Sequence, residues 1–178
     1  MAITPDTKNW TWVLDRPCPD CGFDPAIVDY RDIPRLVMEN ASAWPTALAG
    51  GDARLRPDDD TWSPLEYAAH VRDVFTKFTE RVEQMLSQDV PEFDNWDQDA
   101  TAIAERYLDQ DPGDVATELT AAATRVADAF AEVPDDALGR RGLRSDGSEF
   151  TVETLALYFI HDPVHHLYDV TGERFEKN

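Results

Sequence analysis

The chain has few cysteines, little positive charge and no long apolar run, and each scarcity excludes a class of protein. Two Cys among 178 residues are too few for a disulfide-stabilised secreted scaffold. No apolar run approaches the roughly 20 residues that a membrane-spanning helix needs, and the polar N-terminus does not resemble a secretory signal. The sequence therefore predicts a soluble, cytoplasmic protein with no membrane partner.

The formal net charge of −20 makes nucleic acid an unfavourable partner, because an acidic surface repels phosphate backbones. The dense basic cluster of Arg140, Arg141 and Arg144 is too short to reverse this repulsion. Hydrophobic residues nevertheless make up 42% of the chain, with five Trp and eight Phe, which is enough for one sizeable core. We therefore predict a single globular domain with a solvated acidic surface.

Apolar residues recur at helical spacing in four segments, which Pro and Gly separate. They predict four helices, at about residues 32–48, 63–87, 111–132 and 151–170. The second has the clearest start, because Ser63 can cap it, Pro64 fits its first turn and Glu66 completes a capping box rather than acting as a base. No long stretch alternates with a period of two residues, so the fold class is all-α, a four-helix bundle.

The connecting segments carry weaker signals. Residues 91–99 are acidic and aromatic and are interpreted as a loop or a short helix. Residues 100–108 predict a short helix, and residues 139–147 predict a turn or a hairpin-like crossing. Pro163, inside the last helix, lacks a backbone donor and predicts a kink in the turn around it.

Three of the four histidines lie in one block of the last predicted helix, and His70 lies in the second. His161 and His165 are four residues apart, which is the spacing by which two side chains on one helix face chelate one divalent ion. A facing helix should supply the third ligand, and His70 is the only histidine outside the block. We therefore predict zinc or nickel held by His70, His161 and His165, with one coordination position open.

Other interpretations of this block stay open. Asp162 and His166 have the same four-residue spacing and are permitted ligands, so they form a rival pair. Each histidine could also be an ordinary core or surface residue. In the predicted arrangement His166 points about 100° away from His165 on the helix. His166, Asp73 and Asp169 are then candidates to orient a ligand or a bound water.

Two segments resemble a known family. Residues 60–73, which read DTWSPLEYAAHVRD, resemble the Trp-Ser…Glu…His signature on the second helix of the DinB-like superfamily. The block from His161 to Asp169 resembles the ligand block on its last helix. The resemblance covers about residues 32–172. It implies a four-helix bundle, often dimeric, with a divalent metal at the three histidines predicted above.

The resemblance also implies a domain organisation and an activity. We expect residues 1–31 to form an N-terminal extension that packs on the bundle. Residues 32–172 would form the DinB-like metal-binding domain, and residues 173–178 would form a C-terminal tail. The family includes S-transferases that use bacillithiol or mycothiol and the metal-binding domain of mycothiol-dependent maleylpyruvate isomerase. The isomerase branch has a Glu where this chain has His161. The resemblance therefore favours an S-transferase that joins a low-molecular-weight thiol such as mycothiol to electrophilic small molecules. Its role would be detoxification. The resemblance does not identify catalytic residues.

Two other functions remain alternatives. A bundle that holds these ligands could bind a metal or a small molecule without turnover. It could also be a metal-dependent hydrolase, in which the metal lowers the pKa of its water. No obvious dedicated base supports hydrolysis over thiol transfer.

The segment Cys18-Pro-Asp-Cys21-Gly22 has the form of a zinc-knuckle turn. A four-thiolate site needs a second pair, which the chain lacks, and the histidines are already assigned. We therefore expect two free or reversibly oxidised thiols in the N-terminal extension. A redox pair is less favoured because no βαβ pattern surrounds it. A metal site completed by another subunit is a further alternative.

Overall fold

The computed structural model describes residues 9–176. Residues 1–8 of the predicted N-terminal extension and residues 177–178 of the predicted tail lie outside this range. The helices and strands are, in chain order, α1 (Ile33–Leu48), α2 (Pro64–Ser87), β1 (Glu92–Phe93), α3 (Gln98–Ala104), α4 (Pro112–Ala131), β2 (Arg141–Arg144), β3 (Glu149–Thr151) and α5 (Val152–Thr171). Short 3₁₀ helices lie at Trp10–Leu14, Tyr30–Asp32, Tyr107–Asp109 and Asp135–Ala137.

The four long helices form the bundle that the sequence predicted. α4 and α5 each pack against both α1 and α2, so α1 faces α2 across the diagonal of the bundle. Residues 49–63 make the connection between these two diagonal helices. Because α2 and α5 are neighbours, the two segments that carry the histidines lie side by side.

Aromatic side chains fill the centre of the bundle. The ring of Phe159 on α5 stacks on Phe130 of α4 with centroids 5.2 Å apart, and Phe75 of α2 contacts the same ring at 6.0 Å. Trp44 of α1 is fully buried beside them in the same core. Truncating such a ring to Ala costs about 3–5 kcal/mol, so this packing holds α5 firmly against its neighbours.

A small sheet lies beside the bundle, and it corrects one prediction. Residues 139–147 contribute to the predicted hairpin, in which β2 pairs antiparallel with β3. The segment 91–99, interpreted as a loop or a short helix, contributes strand β1 parallel to β2. A side chain at Gly142 would place its Cβ 2.9 Å from Met85 and Phe93. The close approach of the sheet to α2 therefore needs glycine there, a long-range requirement that local pattern does not reveal.

Candidate metal centre

α2 begins at the residue that the sequence predicted and carries His70 into the core. The Ser63 hydroxyl accepts a hydrogen bond from the Glu66 backbone N–H, and the Glu66 carboxylate accepts one from the Ser63 N–H. Glu66 also forms an ion pair with Arg56. Its interpretation as a capping residue is confirmed, and the carboxylate is fully engaged. His70 follows one turn later and is 0% exposed.

α5 continues through Pro163, and a side chain of α1 holds the turn in place. Proline removes one backbone donor from a helix. The Asn40 side-chain amide donates to the Pro163 carbonyl at 2.7 Å, and its oxygen accepts from the Trp44 indole N–H at 3.0 Å. Asn40 is buried. The helix is continuous from Val152 to Thr171, and the bond from Asn40 ties the turn that carries the candidate ligands to α1.

The first candidate metal site, the histidine–aspartate group, consists of His70, Asp162 and His166. One ligand atom from each lies within 4.8 Å of the others. Nε2 of His70 lies 3.3 Å from Oδ1 of Asp162, and Nε2 of His166 lies 3.6 Å from the same oxygen. The ring of His70 stacks on Trp96 with centroids 5.2 Å apart and planes 7° apart. This stacking fixes the imidazole plane.

Buried polar atoms in this group lack hydrogen bonds. Both ring nitrogens of His70 and Oδ1 of Asp162 are buried without a hydrogen-bond partner, since the 3.3 Å contact between them does not have hydrogen-bond geometry. Oδ1 is buried even though about a third of the Asp162 side chain is exposed. Leaving such atoms unsatisfied costs about 1–3 kcal/mol each. A divalent cation would satisfy one ring nitrogen of His70 and Oδ1 of Asp162, so the residues present fit a metal.

His166 is oriented by a carboxylate from its own helix. Its Nδ1–H donates to Asp169 at 3.0 Å, which leaves Nε2 as the lone-pair nitrogen facing Asp162. Carboxylates that fix a ligating imidazole in this way raise its affinity for metal. Asp73, the other candidate for such a role, accepts hydrogen bonds from Tyr107 at 2.5 Å and from Arg72 at 2.8 Å.

The second candidate site, the cysteine–histidine group, consists of Cys18, Cys21, His161 and His165. One ligand atom from each of the four lies within 4.8 Å of the others. The Cys18 sulfur lies 3.5 Å from Nδ1 of His165. Both cysteines are free thiols and are buried. Trp10 covers the two imidazoles, with ring centroids 5.5 Å from His161 and 5.3 Å from His165.

Burial shifts the pKa of three of the histidines and of Cys21. It lowers the pKa of His70 and His165, and together with the neighbouring His165 it lowers that of His161 to about 4. Neutral imidazoles carry the lone pair that a metal needs. Burial raises the pKa of Cys21 to about 12, whereas redox-active cysteines have lowered values. The environment therefore gives no support to a catalytic redox pair.

The predicted trio of histidines is divided between these two groups. Adjacent helix positions point about 100° apart, so the face of α5 with His161 and His165 is separate from the face with Asp162 and His166. His70 lies beside the second face. The rival pair that the sequence left open is thus the one next to His70. The first face meets the N-terminal segment, and no local pattern in the sequence places the Cys-x-x-Cys turn there.

A cavity of about 90 Å³ opens onto both groups. It is lined by Trp10, Gln98, Tyr158, His161, Asp162, His165 and His166. A larger cleft of about 650 Å³ lies between α2, β1 and α3. None of the candidate ligands lines it, although Trp96, which stacks on His70, forms part of its wall. Of these two openings, the small cavity is the one lined by candidate ligands.

In the part of the chain that the structure describes, no helix is both long enough and apolar enough to cross a membrane. A search of the curated proteins finds no match for the chain.

A solved structure, described as "YfiT from Bacillus subtilis is a probable metal-dependent hydrolase with an unusual four-helix bundle topology", superposes with a TM-score of 0.73. It is 17% identical in sequence, and the match covers 93% of this chain and 95% of that one. At this identity the similarity shows a shared fold. The family model of the DinB superfamily matches residues 37–170, three quarters of the chain. The chain therefore belongs to the DinB superfamily.

Proposed function

We propose that this protein is a divalent-metal-dependent enzyme whose ion is held by His70, Asp162 and His166. We further propose that it joins a low-molecular-weight thiol such as mycothiol to small electrophiles in the cytoplasm. The assignment of a metal to this site rests on one observation. Buried ligand atoms of His70 and Asp162 lack hydrogen-bond partners and lie close to a ligand atom of His166. This set takes the place of the predicted three-histidine set because its members lie on facing surfaces of α2 and α5.

Two imidazoles and one carboxylate are a ligand set of catalytic zinc sites, which keep a position open for a reactant. When bound, a divalent ion acts as a Lewis acid that lowers the pKa of a thiol or a water that binds to it. The chain's own residues orient the site. Asp169 holds the imidazole of His166, and Trp96 stacks on that of His70. Zinc and nickel both suit this donor set.

The cavity limits which parts of the reactants reach the site. Its volume of about 90 Å³ is well below the roughly 300–1,000 Å³ of a pocket that encloses a whole small molecule. The reacting groups of the thiol and the electrophile would enter it, and the rest of each substrate would lie outside. Trp10 and Tyr158 form apolar parts of the wall. An apolar wall excludes water from the reacting atoms and strengthens electrostatic interactions there.

The engagement of the nearby carboxylates favours thiol transfer over hydrolysis. Hydrolysis needs a base positioned to take a proton from water. The neighbouring carboxylates already accept hydrogen bonds: Glu66 from Arg56, Asp73 from Tyr107 and Asp169 from His166. A thiol whose pKa the metal lowers is ionised without such a base. The hydrolase function described for YfiT is the alternative that the experiment must separate.

The experiment measures metal- and thiol-dependent conjugation with protein purified without a histidine tag. Zinc- or nickel-loaded protein is incubated with mycothiol and the fluorogenic electrophile monochlorobimane. We expect conjugate formation that a chelator abolishes and that His166→Ala reduces at least about 100-fold, the size typical of losing a transition-state interaction. Asp128→Ala, an exposed change on α4, is the matched control and should keep full activity.

Other outcomes identify the alternatives. Metal-dependent turnover of ester or amide substrates without any thiol would indicate a hydrolase. Stoichiometric metal binding with no turnover of either kind would indicate a binding protein. Wild-type protein whose metal content equals that of His166→Ala would refute the histidine–aspartate group as a metal site. The homodimer that the resemblance implies is tested separately by light scattering.

A further inference from the structure

We propose that the cysteine–histidine group is a second, structural metal site in which Cys18, Cys21, His161 and His165 hold one zinc ion with all four positions filled. This site is distinct from the histidine–aspartate group and does not depend on the proposed enzymatic function. It joins the N-terminal segment to the last helix.

The backbone of the cysteine turn has the conformation of a metal-binding knuckle. The Gly22 N–H donates to the Cys18 carbonyl at 3.0 Å, and the Cys18 N–H donates to the Phe23 carbonyl at 2.8 Å. The Phe23 N–H points at the Cys21 sulfur at 3.5 Å. Gly22 adopts φ +80°, a left-handed conformation that favours glycine. The turn therefore presents both sulfurs on one side.

α5 presents two imidazoles to that side. His161 and His165 are one helical turn apart, and their ring centroids lie 5.2 Å from each other. Zn–S bonds of about 2.3 Å and Zn–N bonds of about 2.0–2.1 Å at tetrahedral angles put sulfur and nitrogen about 3.5 Å apart. The Cys18 sulfur lies 3.5 Å from Nδ1 of His165. All four ligand atoms lie within 4.8 Å of one another. Binding of an ion would draw the more distant pairs toward the roughly 3.5 Å of a tetrahedral site.

Burial and charge both suit a closed zinc site. Cys18, Cys21 and His161 are each less than 5% exposed, and Nε2 of His161 is buried without a hydrogen-bond partner. Two thiolates and two neutral imidazoles neutralise a divalent cation, so the filled site carries no net charge into the interior. Binding releases the two thiol protons to solvent. Two cysteines and two histidines are a common structural zinc set.

The site would fix both ends of the described chain on α5. The Phe175 N–H donates to the Cys21 carbonyl at 2.7 Å, and Arg174 donates to the Pro19 carbonyl at 2.9 Å. The N-terminal 3₁₀ helix also packs on α5 and places Trp10 over the cavity wall. Zinc at this site therefore holds in place one wall of the cavity that serves the histidine–aspartate group.

The first test uses cobalt(II) as the probe in the full-length wild-type protein. Cobalt in a site with two thiolates gives a near-ultraviolet sulfur-to-cobalt charge-transfer band and strong visible bands of tetrahedral coordination. Because cobalt can also bind at the histidine–aspartate group, the sulfur band is the diagnostic signal. We expect it to reach its maximum by two equivalents and to disappear when zinc is added. A cobalt complex without the sulfur band, or a Cys18–Cys21 disulfide found by mass spectrometry in protein purified under reducing conditions, would overturn the proposal.

Variants then separate the two sites. Wild-type protein should retain about two zinc ions per chain by mass spectrometric metal analysis. Cys18→Ser/Cys21→Ser should lose one ion and the sulfur band, and His161→Ala should lose the same ion. His166→Ala, the matched control on the adjacent face, should lose the other ion and keep the sulfur band. Retention of two ions by the double cysteine variant would overturn the proposal, and the wild-type spectrum decides the case if that variant fails to fold.

Discussion

One face of α5 carries Asp162 and His166 and meets α2, whereas the adjacent face carries His161 and His165 and meets the N-terminal segment. The first face adds one carboxylate and one imidazole to His70, and both faces line the small cavity. The second adds two imidazoles to two buried thiols, which leaves no vacant position in a tetrahedral site. The same helix thus offers an open ligand set suited to chemistry and a closed set suited to stability, about 100° apart.

The comparison shows that the spacing of ligands along a helix does not by itself determine what a metal site does. Both pairs are four residues apart, and both have permitted donor types. What separates them is the element that each face meets. The predictions below test whether the two faces are as independent, and as different in role, as their surroundings indicate.

The largest effect should come from zinc at the cysteine–histidine group. A ligand that binds only the folded state at about 1,000 times its Kd adds about 4 kcal/mol to the free energy of unfolding. We expect zinc to stabilise the wild type by about this much more than it stabilises Cys18→Ser/Cys21→Ser. The measurement is urea unfolding at matched free zinc concentrations. His166→Ala is the control and should keep most of the gain, and equal zinc stabilisation in the cysteine variant would contradict the comparison.

The second prediction concerns Asn40, which should affect both faces together. Asn40→Ala leaves the buried indole N–H of Trp44 and the Pro163 carbonyl without their partner. Each lost bond to a buried group costs about 1–3 kcal/mol, so we expect a total loss of about 2–3 kcal/mol in urea unfolding. Metal affinity should fall at both groups because the Pro163 turn lies between them. Ser42→Ala, exposed on the same helix, should change stability by less than about 0.5 kcal/mol.

The third prediction separates the faces through Asp169. Loss of a carboxylate that orients a ligating histidine typically lowers metal affinity about 10–100-fold. Asp169→Ala should therefore weaken zinc binding at the histidine–aspartate group by this factor, measured by competition with a chromogenic chelator. The sulfur-to-cobalt band of the other group should persist, because Asp169 lies farther from His165, at 3.7 Å, than from His166. An equal loss at both groups would show that the faces are coupled.

The sequence predicted the bundle more fully than the site. Helical periodicity and the Ser63 and Pro64 start signal located the four long helices to within a few residues of their bounds. Strand β1 was missed because its pairing depends on β2, about 50 residues later. Local propensity carries no information on such a partner.

At the site, the sequence predicted which residues are candidate ligands but not how they are grouped. The i, i+4 spacing is shared by His161 with His165 and by Asp162 with His166, so periodicity alone cannot choose which pair faces α2. The knuckle at Cys18 and Cys21 was recognisable, yet it lacked a second half. In the proposed zinc site that half comes from α5, about 140 residues later, and the predicted three-histidine set had already used both histidines.

The smallest effect should come from the hairpin, which contacts Tyr158 in the wall of the small cavity. Arg144 donates to the Tyr158 hydroxyl at 3.0 Å and pairs with Asp146 at 2.8 Å. The hydrogen bond from Arg144 lowers the pKa of Asp146 to about 2, below the value of about 3.9 in an unfolded chain. The stabilisation is therefore fully present above about pH 4 and is lost as the pH falls through about 2.

Because about a third of the Asp146 side chain is exposed, solvent screens the pair, and we expect a contribution of less than about 1 kcal/mol. Asp146→Asn should lower stability by this amount near neutral pH, and the difference from the wild type should vanish as the pH approaches 2. Urea unfolding of chelator-treated protein across this range measures it, with the exposed Asp128→Asn as the matched control. A difference that stayed constant with pH would mean that Asp146 acts through hairpin geometry rather than charge. In either case zinc content should not change, since the hairpin contributes no ligand to either face of α5.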